Sequence, residues 1–191
     1  MSRLAVIPAA PGLLSAYAGR IDPLAEVRAV VEQAVAWLTA DAEVVQVVCV
    51  RASQLDRARG LARSGSERIA TELFAGFTGE LRWSEPDDFV VDVPTLLLAD
   101  GSARRGEKAP GHLDERGFEF DAVIERALGS GEADPLAKLD QELGEELLVG
   151  GAVAFRRLGE LDLAVAQANL DYAADPFGVR YWVARWSLTQ G

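Results

Sequence analysis

At 191 residues the chain has the length of one ordinary domain, and 49% hydrophobic with 26% charged residues place it among folded globular chains rather than disordered ones. A formal net charge of −11 excludes a surface built to track a phosphate backbone, so nucleic acid is not an expected partner. The single cysteine, Cys49, excludes an intramolecular disulfide, and no apolar run approaches the ~18–20 residues of a membrane-spanning helix.

Arg3, the apolar residues after it and Ala16-Tyr17-Ala18 have the outline of a signal peptide. Pro8 and Pro11 break that apolar stretch, and Leu4 to Ile7 reads better as a first strand, so cytoplasmic residence is expected. Asp22 before Pro23 is a helix start, and Leu24, Val27, Val31, Val35 and Leu38 give that helix one apolar face. Glu43 then opens a β-branched run through Val50, a strand buried on both faces. The segment from Gln54 to Glu85 is rich in Arg, Gly and Ser and predicts one helix between loops, carried by Ile69, Leu73 and Phe77.

Pro94 separates two apolar runs, and Thr95 to Ala99 is the stronger strand. Phe120, Val123, Ile124, Ala127 and Leu128 recur at helical spacing up to Gly129. Asp134-Pro135 predicts a further helix with Leu136, Leu139 and Leu143 as its stripe, followed by helices over Leu147 to Leu158 and Leu161 to Tyr172. From Glu119 to Asp175 there are 13 acidic against 4 basic side chains, the pattern of solvated helix surfaces. In the tail, Trp182, Ala184, Trp186 and Leu188 alternate onto one face of a last strand. The expectation is a single α/β domain over 1–191, with a mostly parallel central sheet and helices on both faces.

Ligands of open α/β sheets sit beyond the carboxyl ends of the strands, which points to the loop that opens at Asp100-Gly101-Ser102. Ser102, backbone N–H groups and the cations Arg104, Arg105 and Lys108 could converge there on a carboxylate or phosphate. The same residues also suit a tight turn with Asp100 as its acceptor. Ser102 lacks a nucleophile elbow, and Gly101, Gly106 and Gly111 form no dinucleotide or phosphate-loop fingerprint. His112 is the lone histidine, which excludes a two-histidine metal site, and its loop position reads as surface. Asp92, Asp100, Asp171 and Asp175 offer carboxylates, but no spacing selects a pair. Tyr172, Phe177, Tyr181, Trp182 and Trp186 read as core or as the wall of an aromatic pocket.

Taken together, ADGSARR, EKAPGHLDERGFEFD and the closing DPFGVRYWVARW, with VIPAAPGLL near the start, resemble actinobacterial proteins related to the catalytic B subunit of class III extradiol ring-cleavage dioxygenases. The resemblance implies that fold, shortened around 54–85. It also implies positions for two iron-binding histidines and one acid–base histidine, which fall here at Ala9, Arg51 and Ala103. Without those imidazoles, iron-dependent ring cleavage is not expected, nor is a cofactor.

The favoured reading is therefore a non-catalytic protein with a cleft for a small anionic or aromatic ligand, lined by Arg51, Asp100, Ser102, Arg104 and Arg105. An interaction protein acting as a homodimer is the alternative. An enzyme with a non-histidine site comes last, and it requires a strongly perturbed carboxylate or lysine in the cleft.

Overall fold

A computed structural model describes residues 2–19 and 22–189. Among these residues the strands form one six-stranded sheet in the order β3-β2-β4-β1-β6-β5, with β1 at Ser2–Ile7, β2 at Val44–Val48, β3 at Glu80–Ser84, β4 at Thr95–Leu98, β5 at Val165–Ala174 and β6 at Tyr181–Leu188. The β3-β2-β4-β1 side is parallel, whereas β6 runs antiparallel to both β1 and β5.

Alternation along the central strands divides the core into two layers. Leu4, Val6, Leu97 and Ala99 face one layer with Phe120, Ile124, Phe155 and Leu158, while Ala5, Ile7, Leu96 and Leu98 face the other with Val27, Val31 and Ile69. The first layer is covered by α4 (Arg116–Ser130) and α6 (Ala152–Gly159), and the second by α1 (Ala25–Thr39) and α3 (Gly65–Leu73). Both faces of β1, β2 and β4 are thus buried, which is why these strands are nearly continuous apolar runs, whereas β3 at the edge is partly exposed. No helix among the described residues is long and apolar enough to cross a membrane.

The tail behaves as its alternation predicts: Trp182, Ala184, Trp186 and Leu188 enter the first layer. Tyr181 and Val183 enter the second, so β6 is buried on both sides. Trp186 Nε1 donates to Leu128 O at 2.8 Å, which satisfies its one polar atom inside the core.

Four expectations change. Leu161 to Tyr172 is mainly the edge strand β5 rather than a helix. Its pairing with β6 slips between Val165 and Gln167 and again between Leu170 and Tyr172. Each bulge adds a residue and breaks the two-residue period, so Val165, Ala168, Leu170 and Ala173 reach one layer at mixed spacings of three and two rather than by strict alternation.

The segment 54–85 holds two helices and a strand: α2 (Gln54–Ala58), α3 and β3. Ser53 with Asp56, and Ser64 with Glu67, form reciprocal capping boxes that start the two helices separately. The Asp134-Pro135 element is a 3-10 turn over Asp134–Lys138. A new helix, α5 (Gln141–Glu146), begins where Asp140 Oδ1 accepts from Leu143 N. Leu147 to Leu158 is not one helix, because Leu148 adopts φ 54° and α6 starts only at Ala152.

Trp186→Ala removes a fully buried ring and its satisfied N–H; a loss of about 3–5 kcal/mol is expected in urea unfolding.

Candidate functional site

At the carboxyl edge of the sheet, β4 leads into Ala99 and Asp100, beside the end of the neighbouring β1, since Ile7 is registered with Leu98. Asp100 Oδ1 accepts from Ala9 N at 2.9 Å, and the Asp100 carbonyl accepts from Gly151 N at 2.8 Å. Three segments therefore meet on this residue: the end of β1, the end of β4 and the start of α6. Asp100 Oδ2 has no hydrogen-bond partner among the described residues. Gly150, which is exposed, faces it; a Cβ there would stand 3.8 Å from the oxygen. Burial pushes the Asp100 carboxyl up to about 7, against the lowering effect of the Ala9 N–H.

Gly101 is dictated by crowding. A Cβ at this position would lie 2.7 Å from Asp121 Oδ1 and 2.6 Å from the Trp182 ring. Ser102 is fully buried: its Oγ donates to Leu147 O at 2.9 Å and accepts from Arg104 N at 3.1 Å, and its own N–H donates to Asp121 Oδ1 at 2.9 Å. The hydroxyl therefore holds the loop together and is closed to solvent.

The two loop arginines are also engaged internally, to different degrees. Arg104 NH1 donates to Gly111 O at 2.6 Å and closes the loop on itself. Arg105 donates through Nε to Asp175 Oδ2 at 2.9 Å and through NH1 to Asp121 Oδ2 at 3.1 Å, with its guanidinium 4.4 Å over the Phe118 ring. Its NH2 group keeps no partner among the described residues. Arg180 completes the cluster by pairing with Glu125 and standing 3.9 Å from Asp175. Burial pushes the Asp121 carboxyl up to about 6, outweighing the Ser102 N–H and the Arg105 and Arg180 charges.

Arg51 stands apart from this group. Its Nε is 3.4 Å from Glu67 Oε1, and Glu67, on α3, also accepts from Ala52 N at 2.9 Å. Helix α3 covers the second core layer and α4, which holds Asp121, covers the first, so Arg51 and Arg105 are tied to opposite faces of the sheet. Of the five residues expected to line one cleft, the structure gathers Asp100, Ser102, Arg104 and Arg105 on one loop. Arg51 is engaged elsewhere. His112 is exposed at φ 58°, on the surface of the same loop.

The open space at this edge lies beside the loop. A groove of about 710 Å³ runs between 105–109 and 175–178, lined by Arg105, Lys108, Ala109, Asp175, Phe177 and Gly178 among others. Phe177, 47% exposed, also borders an apolar pocket of about 260 Å³ formed with Pro11, Tyr17, Pro23 and Leu24. Phe177, in an aromatic cluster of a kind that is more often simply core, is instead a wall of the groove and of the pocket, and Lys108 lines the groove with it from a loop distant in sequence. The Asp175-Pro176-Phe177-Gly178 turn, with Gly178 at φ 70°, was the available signal for a hairpin that presents the ring.

The residues present do not fit the iron site that the family resemblance implies. Ala9 has no ligating side chain and its peptide N–H is given to Asp100, Arg51 is a cation paired with Glu67, and Ala103, at the acid–base position, has no group to carry a proton. No three His, Cys, Asp or Glu side chains cluster as a metal site among the described residues. Cys49 is buried, and desolvation pushes its thiol up to about 12, far from a reactive thiolate.

The pH dependence of stability follows from Asp100. Its folded value lies above the unfolded one, so its ionisation opposes folding in full above pH 7, and the penalty is relieved as the pH falls toward 4. Asp100→Asn, which keeps an acceptor for Ala9 N, is expected to be more stable than the native protein at pH 8 and equal to it near pH 4 in urea unfolding. Equal stability at pH 8 would contradict this.

No protein-family model matches the chain, and no curated protein matches it either, so the geometry of the carboxyl edge carries the functional reading.

Proposed function

We propose that the protein binds a small organic anion with an apolar body at the carboxyl edge of its sheet, on a scaffold of the class III extradiol dioxygenase type that no longer holds iron. One observation carries the reading: Phe177 stands between a groove bearing Arg105 and Lys108 and an apolar pocket bearing Tyr17 and Leu24. A flat apolar body fits against the ring, and the free NH2 of Arg105 and the ammonium of Lys108 supply charge-assisted donors for an acidic group. Arg105 is preorganised for this, because Asp121, Asp175 and the Phe118 ring fix its guanidinium before any ligand arrives.

Benzenesulfonate is a suitable probe, since it pairs a ring with a permanent negative charge. Binding to the folded state alone raises the melting temperature, by the equivalent of about 2.7 kcal/mol at a hundred times the dissociation constant. The rise is expected in the native protein and in Arg51→Ala, and it is expected to disappear in Lys108→Ala and Phe177→Ala. A full rise in both of the last two variants would remove the groove from consideration.

Asp100 supports a second reading, an acid–base site without histidine. It is a carboxyl poised near neutrality, with one oxygen fixed by Ala9 N–H and the other free. At pH 6.5 a water-soluble carbodiimide, whose nitrogen takes the proton of a protonated carboxyl while the carboxylate oxygen adds to its central carbon to give an O-acylurea, is expected to modify Asp100 ahead of the surface carboxylates. Gly150→Val should slow that modification by covering Oδ2. Failure to label Asp100 would end this reading.

A further inference from the structure

Two walls of the groove belong to an ion-pair cluster that continues behind it. Arg105 and Asp175 line the groove itself. Behind them Asp121, only 1% exposed on α4, accepts from Ser102 N–H and from Arg105 NH1. Arg180, just before β6, reaches Asp175 and Glu125, and Glu125 also accepts from Trp182 Nε1 at 3.2 Å. The charged groups that face Asp121 are thus Arg105 from the β4–α4 loop and Arg180 from the start of β6. Asp175 and Glu125 are their other partners, and Asp100 stands two residues from Ser102 on the same loop. With every group ionised, the two guanidiniums meet three carboxylates and the cluster is one charge negative. Protonation of one carboxylate makes it neutral.

We propose that Asp121 sets the charge the groove offers its ligand: ionised, it leaves the cluster behind the groove one charge negative, and protonated, it makes that cluster neutral, so that an anion held by Arg105 and Lys108 is no longer opposed. This rests on the reading of the groove as an organic-anion site. The donor geometry survives the change, because Asp175 at 2.9 Å and the Phe118 ring at 4.4 Å continue to hold the guanidinium. Only the balance of charge alters. Asp121 is also the member of the cluster placed to change state in mildly acid solution, since burial holds its carboxyl at about 6. The consequence is a site that loads an anion at acid pH and releases it at neutral pH.

The dissociation constant of benzenesulfonate, measured by calorimetric titration at pH 5.5 and pH 7.5, tests this, since the probe keeps its charge across that range. The native protein is expected to bind more tightly at pH 5.5, on the order of fivefold for one added charge across a partly screened distance. Asp121→Asn keeps an oxygen for Ser102 N–H, and it should bind at both pH values as the native protein does at pH 5.5. A native affinity that does not change with pH, or a pH dependence that persists in Asp121→Asn, overturns the proposal. Binding that is independent of pH but lost in Lys108→Ala would overturn it while leaving the groove as the anion site. No binding at either pH would overturn both.

A second measurement needs no variant. Proton and anion binding are reciprocally linked, so the carboxyl-carbon titration of Asp121, followed by NMR in the native protein, should shift to higher pH when benzenesulfonate is added. An unmoved midpoint in protein saturated with the probe overturns the inference.

Discussion

The carboxyl edge of this protein depends on one buried carboxylate. Asp121 receives the peptide N–H of Ser102 and the guanidinium of Arg105, and through Arg105 it is joined to Asp175 on the β5–β6 hairpin. Helix α4, the loop after β4 and the hairpin are held in register by these contacts, with Gly101 left bare to make room for the carboxylate. Its cost is desolvation. A buried ion pair recovers that cost only when the remaining lone pairs and protons are satisfied, and Arg180 Nε is left without a partner among the described residues. Such a cluster specifies geometry more than it adds stability, which suits a wall that must present Arg105 to a groove.

This division of labour separates residues that build the edge from those that face outward. Ser102 and Arg104 have the chemistry of an anion site, yet their polar groups are turned inward to Leu147 O and Gly111 O. Their loop is strongly hydrogen-bonded because it would otherwise be a long irregular segment with unpaired peptide groups against the core. Arg105 NH2, Lys108, Phe177 and Asp100 Oδ2 are what remain available. They come from the loop, the hairpin and the end of β4, so the surface they form exists only when the strands are assembled.

Local signals in the chain were informative where the periodicity was undisturbed. The apolar runs of β1, β2 and β4, the α1 and α4 stripes and the two tryptophans of β6 follow directly from spacing, since burial on one or two faces leaves a period that tertiary contacts do not alter. The capping boxes at Ser53 and Ser64, whose residue types stand at the required spacing of three, account for the split of 54–85 into separate elements, and the expectation of one helix there passed over them. β5 was not legible, because two bulges in its pairing with β6 interrupt its alternation, and a strand interrupted in this way shows no regular two-residue period.

The sequence by itself determined an α/β chain, the strand-end position of the Asp100–Arg105 loop and the absence of histidine from Ala9, Arg51 and Ala103. Those properties depend on residue type and on neighbours a few positions away. Only the tertiary structure decided that Arg51 pairs on the opposite face from Arg105, that Ser102 is closed and that Phe177 stands beside Lys108. Each of those outcomes turns on which distant carboxylate or carbonyl a polar group finds when the sheet closes, and sequence spacing does not encode that choice.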